Sequence, residues 1–179
     1  MTAGARIGAP APRTRRPAAR VVPTLDLERS LLSAAPAGCL LAGVDEVGRG
    51  ALGGPVSVGV AMIDAAAGAV PDGLADSKML RPAVRDELCD PVRAWVRGVS
   101  VGHAAAAEID RFGILGGLRL AAARAFAELA GTGLRARIVL LDGTHDWLTP
   151  PPPTFDDLLA PATSSAADAG PGPSVPDEV

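Results

Sequence analysis

The sequence predicts an α/β fold, and three observations carry that expectation. Four apolar runs of strand length recur along the chain, and two of them, 40–45 and 137–142, close on a carboxylate. Stretches with apolar residues at helical spacing lie between them. The termini are different: residues 1–24 are rich in Ala, Pro and Arg, and residues 149–179 in Pro, Ala and Asp. Both read as disordered tails around one domain at 25–148, and 179 residues at 48% hydrophobic suffice for a single real core.

Leu25 to Leu32 predicts a short helix leading into the domain. Leu40 to Asp45 predicts the first strand, and Val56 to Ile63 the second, with Gly53-Gly54 suited to a hairpin connection. Residues 65–78 read as a loop. Pro82 suits the first turn of a helix that places Val84, Leu88, Val92, Trp95 and Val96 on one face and stops at Gly98. Pro91, inside that pattern, predicts a kink or a break. Val99 to His103 reads as a third strand and Ala104 to Asp110 as a small helix. Ile114 to Leu129 is a longer helix ended by Gly131. Residues 137–142 are apolar until Asp142, the pattern of a strand covered on both faces.

The net charge of -3 argues against a strongly basic nucleic-acid binder, although Arg6, Arg13, Arg15, Arg16 and Arg20 make the N-terminus basic. Lys78 is the sole lysine, and no Lys or Arg follows Arg137. No apolar run is long enough to span a bilayer, and no continuous apolar leader precedes a cleavage site. Cys39 and Cys89 fit no metal or disulfide spacing and read as core thiols of a reducing compartment. The expected location is cytoplasmic, with no membrane association.

Three groups of residues carry chemistry. Asp45, Glu46 and Asp142 stand at strand ends; were the two strands parallel neighbours, Asp45 and Asp142 would converge at one edge of the sheet. Adjacent acids repel unless a cation lies between them, and oxygen-only ligands suit Mg²⁺ or Mn²⁺. Read from the residues alone, a cation site and three unrelated surface acids are equally compatible with the pattern. Gly48-Arg49-Gly50 lets backbone N–H groups and a guanidinium approach a sugar or phosphate, as would any tight hairpin loop. Its glycines follow neither the Walker spacing nor the dinucleotide spacing. Ser77 and Lys78, in Asp76-Ser77-Lys78, offer a hydroxyl and an ammonium to phosphates; a capped loop before a helix has the same composition.

These motifs together resemble ribonuclease HII. The run from Gly43 to Gly50, Asp76-Ser77-Lys78-Met79-Leu80, Glu108-Ile109-Asp110 with Ile114, and Leu141-Asp142-Gly143 agree with the family in order and spacing from about Leu40 to Leu148. The resemblance implies an RNase H-like fold, a mixed central sheet flanked by helices. It also implies an endonuclease that cleaves the RNA strand of RNA–DNA hybrids and nicks duplex DNA 5′ to embedded ribonucleotides, in ribonucleotide excision repair. By the same resemblance, Asp45, Glu46 and Asp142 are catalytic metal ligands for Mn²⁺ or Mg²⁺. Gly48, Arg49 and Gly50 read the ribose 2′-hydroxyl, and Ser77 and Lys78 contact phosphates. Glu108 and Asp110 match a motif expected to cap and orient the following helix. The partner is a hybrid or ribonucleotide-containing duplex, and the protein is expected to be monomeric.

The chain departs from the family in two respects. After the Asp-Gly motif it lacks the C-terminal part, with a fourth active-site aspartate and a tyrosine beside the ribonucleotide; the sequence contains no Tyr. A truncation or frameshift near Pro150 is the expectation, and with it a degenerate, non-catalytic remnant as the alternative function. Gly113, where the family has Asn, is the smaller departure.

Overall fold

The fold is a computed structural model whose described residues are 23–150. The two tail readings fall almost wholly on residues 1–22 and 151–179, outside that range. Within it the chain forms α1 (Asp26–Ala34), β1 (Leu41–Val47), β2 (Val56–Ile63), α2 (Pro82–Trp95), β3 (Gly98–Ala104), α3 (Ala106–Gly131) and β4 (Ile138–Leu141). A single 3₁₀ turn, Ser77–Met79, precedes α2. No helix among the described residues is long and apolar enough to cross a membrane.

The four strands form one mixed sheet in the order β3-β2-β1-β4. β2 runs antiparallel to both β1 and β3, whereas β4 is parallel to β1. The carboxyl ends of β1, β3 and β4 therefore share one edge of the sheet. β1 runs two residues further than Asp45, because Glu46 and Val47 pair with Val58 and Ser57 of β2.

Alternation along each strand sorts the side chains onto two faces. Ala42, Val56, Val58, Val60, Met62 and Ala104 are wholly buried beneath α3, against Leu118, Ala121, Ala122 and Ala125. Each such valine contributes on the order of 1.5 kcal/mol through removal from water. Gly102 permits this close packing: a Cβ there would lie 1.9 Å from the Ala121 carbonyl oxygen. On the other face a smaller cluster of Leu25, Leu32, Cys39, Leu41, Ile63 and Val96 joins α1 to the sheet. Toward the carboxyl edge that face opens into a groove of about 730 Å³ over Gly43, Gly59 and Ala61.

Helix ends follow local chemistry. α3 is interrupted at Gly113, whose φ of 72° and ψ of 169° suit glycine almost alone, so the two helices read from sequence meet at that residue. This gives a physical reason for glycine at that position. At the far end Leu134 N–H bonds the Leu129 carbonyl and Gly133 N–H bonds that of Ala130, both at 3.0 Å. Gly133, with φ of 87°, supplies the left-handed residue of this Schellman stop.

Three expectations are corrected. α2 continues through Pro91 without a break. Pro91 and Glu87, whose carbonyl loses its intrahelical donor, are both exposed, so water can satisfy that oxygen. β4 is half-buried along its length rather than covered on both faces, because it is the edge strand and borders the open groove. Cys39 is buried as expected, but Cys89 is exposed, because it stands on α2 outside the cluster that Val92 and Trp95 join.

Candidate active site

Parallel pairing of β1 with β4 decides where the acids go. Gly43 aligns with Leu140 and Val44 with Leu141. Asp142 N–H then bonds the Val44 carbonyl at 3.0 Å, which carries the ladder one residue past β4. Asp45 and Asp142 are consequently neighbours across adjacent strands, on the open face of the sheet. Strands lie about 4.8 Å apart, so two carboxylates at this spacing repel unless a cation or a donor lies between them.

Glu46 follows Asp45 immediately and so takes the opposite parity in the strand. Its backbone N–H bonds Asp45 Oδ1 at 2.7 Å, and its carboxylate pairs with Arg49 at 3.3 Å. All three acids still border one cleft of about 240 Å³, together with Arg49, Lys78, Gly143, Thr144, His145 and Trp147. The cleft thus sets three acids beside two cations, Arg49 and Lys78. Among the described residues, however, no three of His, Cys, Asp and Glu are gathered around one metal position. The donor set suits a hard divalent cation, with Asp45 and Asp142 on the shared face and Glu46 held by Arg49.

Gly48 has a structural reason to be glycine: its φ is 94°, and a Cβ would lie 2.8 Å from the Pro55 carbonyl oxygen. Gly50 shows no such restriction, since nothing lies within 4 Å of its Cβ position. Asp76 caps the 3₁₀ turn through Oδ1, which accepts the Lys78 N–H at 2.9 Å. That turn sends Lys78 into the acidic cleft. Ser77 borders an adjoining depression lined by Arg85, Cys89 and Val92 rather than the cleft itself.

Sequence reading missed Thr144, His145 and Trp147. A lone histidine or tryptophan after a strand carries no spacing signal, and only the turn beyond β4 brings them to the cleft. Asp146 makes that turn: its Oδ1 accepts from the Leu148 and Thr149 N–H groups at 3.0 and 2.9 Å. Hydrogen bonds from Thr149, with a smaller contribution from the Leu148 N–H, hold the Asp146 carboxyl below its ordinary value. Trp147 is buried in the core and its indole Nε1 has no hydrogen-bond partner among the described residues.

Glu108 occupies a separate, supporting position. It accepts the Ala105 N–H at 2.8 Å, capping α3, and receives both guanidinium nitrogens of Arg124 at 2.6 and 2.8 Å. Arg124 also bonds the His103 carbonyl at 2.6 Å, tying α3 to the end of β3. The Arg124 hydrogen bond, aided by the Ala105 N–H, lowers the Glu108 carboxyl from 4.5 to about 2.

Comparison with known proteins gives a consistent match. The family model described as Ribonuclease HII matches residues 42–152, more than half of the chain. Ribonuclease HII of Streptomyces avermitilis is 45% identical over 129 residues, covering 72% of this chain and 53% of the relative. That of Streptomyces griseus is 46% identical over 129 residues, with 72% and 52% covered. The Paracoccus denitrificans protein of the same name is 47% identical over 108 residues, covering 58% of this chain and 46% of the relative. The chain spans about half the length of the curated relatives it matches.

Proposed function

The chain belongs to the ribonuclease HII family, and from that premise we propose that it acts in endonucleolytic cleavage of RNA within RNA–DNA hybrids and 5′ to ribonucleotides embedded in duplex DNA. Its mixed four-stranded sheet with three helices is consistent with the RNase H-like α/β fold. The observation that supports the functional reading best is the pairing of Asp45 with Asp142 on one face of adjacent parallel strands, beside Glu46, Arg49 and Lys78.

In this reading Asp45, Glu46 and Asp142 hold Mn²⁺ or Mg²⁺. A bound divalent ion lowers the pKa of an attacking water and stabilises the leaving oxygen of a phosphodiester. The chain's own residues do the positioning. Lys78 and Arg49 place positive charge where a phosphate would approach the acids. The loop at Gly48-Arg49-Gly50, with no side chain at its ends, lets the backbone come close to a ribose and bond the 2′-hydroxyl that distinguishes RNA from DNA. Ser77 contacts a neighbouring phosphate from the adjoining depression. We place this activity in the cytoplasm, in a monomer acting in ribonucleotide excision repair.

A second reading is a non-catalytic member of the family that retains the nucleic-acid surface. It is favoured by one specific observation: no three potential ligands among the described residues converge on a metal position. The two readings separate in an assay of a DNA duplex carrying one ribonucleotide, with Mn²⁺ or Mg²⁺ added. The enzyme reading expects a nick that leaves 3′-hydroxyl and 5′-phosphate ends. Asp45→Asn should then slow it by more than about 100-fold, since a direct ligand counts for at least as much as the outer partners that orient one. A Mn²⁺-dependent rise in melting temperature, abolished by the same substitution, would report metal binding without turnover. No nick by the unaltered chain would leave the non-catalytic reading standing.

A further inference from the structure

We propose that His103, oriented by Ser57, is a contact for the nucleic-acid backbone a few nucleotides away from the Asp45–Asp142 pair. The inference rests on the nucleic-acid reading above and adds a residue that none of the recognised motifs contains.

Register places the pair. β3 is parallel to β1, so His103, near the end of β3, lies at the same edge of the sheet as Asp45 and Asp142. His103 aligns with Ser57, and Ser57 aligns with Val47, the residue before the Gly48-Arg49-Gly50 loop. Strand alternation puts His103, Ser57 and Asp45 on the open face, opposite the buried row of Val56, Val58 and Val60. Two strand spacings and two residues along the strand put the Cα atoms of His103 and Asp45 about 12 Å apart. A duplex carries one phosphate per about 3.4 Å of axis on each strand, so a backbone that runs from Asp45 along the carboxyl edge toward β3 brings a phosphate within reach of His103.

The local chemistry suits an anionic acceptor. Ser57 Oγ and His103 Nδ1 are hydrogen-bonded at 2.7 Å, with His103 exposed and Ser57 half-buried. That bond fixes the ring, and Nε2 has no partner among the described residues. With the Ser57 hydroxyl donating to Nδ1, Nε2 carries the proton and is the donor that an acceptor-only phosphate requires. The opposite tautomer, with Nδ1–H donating to Ser57 Oγ, leaves Nε2 an acceptor; the proposed contact takes the first. The Arg124 guanidinium on the His103 carbonyl fixes the backbone below it. The bland alternative is a cross-strand polar pair that only stabilises the sheet.

Equilibrium binding of the full chain to a short RNA–DNA hybrid, without divalent metal and over a range of salt, separates the two. His103→Ala is expected to weaken binding about 5- to 10-fold. His103→Arg, which sets a full charge on the same phosphate, should retain binding and steepen the slope of log affinity against log salt by about 0.9. Ser57→Ala should weaken binding less than His103→Ala, and Ser57→Thr should restore it. Unchanged affinity in His103→Ala overturns the inference, and so does a lower melting temperature with binding unaltered, which marks a cross-strand pair alone. If the unaltered chain shows no salt-dependent binding, the nucleic-acid reading falls and takes this inference with it.

Discussion

The two faces of the sheet are built to opposite rules. Under α3 every inward residue of β2 is wholly buried, and the helix sits so close that Gly102 has no room for a Cβ. On the opposite face, toward the carboxyl edge, the floor is Gly43, Gly59 and Ala61, and Val99 and Val101 remain 39% and 49% exposed. On the covered face the strands carry one acid, Glu46, at the carboxyl end of β1, where Arg49 pairs with it. The open face carries Asp45, Asp142 and His103. Packing density and most of the chemistry thus occupy different sides of four strands, and one-residue alternation is what separates them.

Glycine substitutions should show the largest contrast. At Gly102 a Cβ would meet the backbone of Ala121 and Ala125 at 1.9 and 2.8 Å, neither of which can move without displacing the helix. Gly102→Ala should therefore lose at least about 3 kcal/mol, measured as a shift in denaturant midpoint. Nothing lies within 4 Å of the Cβ position at Gly59, and Gly59→Ala should fall between neutral and about 1 kcal/mol stabilising. Equal losses at both positions would mean that the open face is covered in solution.

Valine truncation gives the same contrast at smaller scale. Val58→Ala, at a side chain with no exposure, should cost about 2 kcal/mol through lost burial and the void left behind. Val101→Ala, half exposed on the neighbouring strand, should cost less than about 1 kcal/mol. Melting temperatures of the two variants would settle the order.

Acid titration of the Glu108–Arg124 clasp, where α3 meets the end of β3, should have the smallest effect. Glu108 is lowered to about 2 in the folded chain from an ordinary 4.5. Its contribution to stability is therefore complete above about 4.5 and is lost as pH falls toward 2. Glu108→Gln should flatten that part of the curve of melting temperature against pH. The Arg124 side chain is 47% exposed, so added salt should shrink the difference between the two proteins.

Much of this was legible in the residues. β2 was read from its alternation to the residue, Val56–Ile63, and the two helical segments on either side of Gly113 were separated by their own periodicity. Pro91 left a kink and a break both open, because sequence shows the missing donor but not whether the freed carbonyl faces water, and the structure excludes the break. β4 misled because an apolar run does not reveal whether both of its faces are covered. Thr144, His145 and Trp147 gave no signal, since their arrival at the cleft depends on the Asp146 turn rather than on spacing.

The sequence by itself determined the element types, the apolar strands that end in acids, and the family motifs, because these rest on period, composition and short-range order. Only the tertiary structure decided that β4 lies parallel beside β1, bringing Asp45 and Asp142, 97 positions apart, onto one face. It also paired Glu46 with Arg49, brought Lys78 to the acidic cleft, and set His103 on Ser57 at the same edge. Strand order and register are long-range choices, made by which faces α3 can cover, and no local pattern records them.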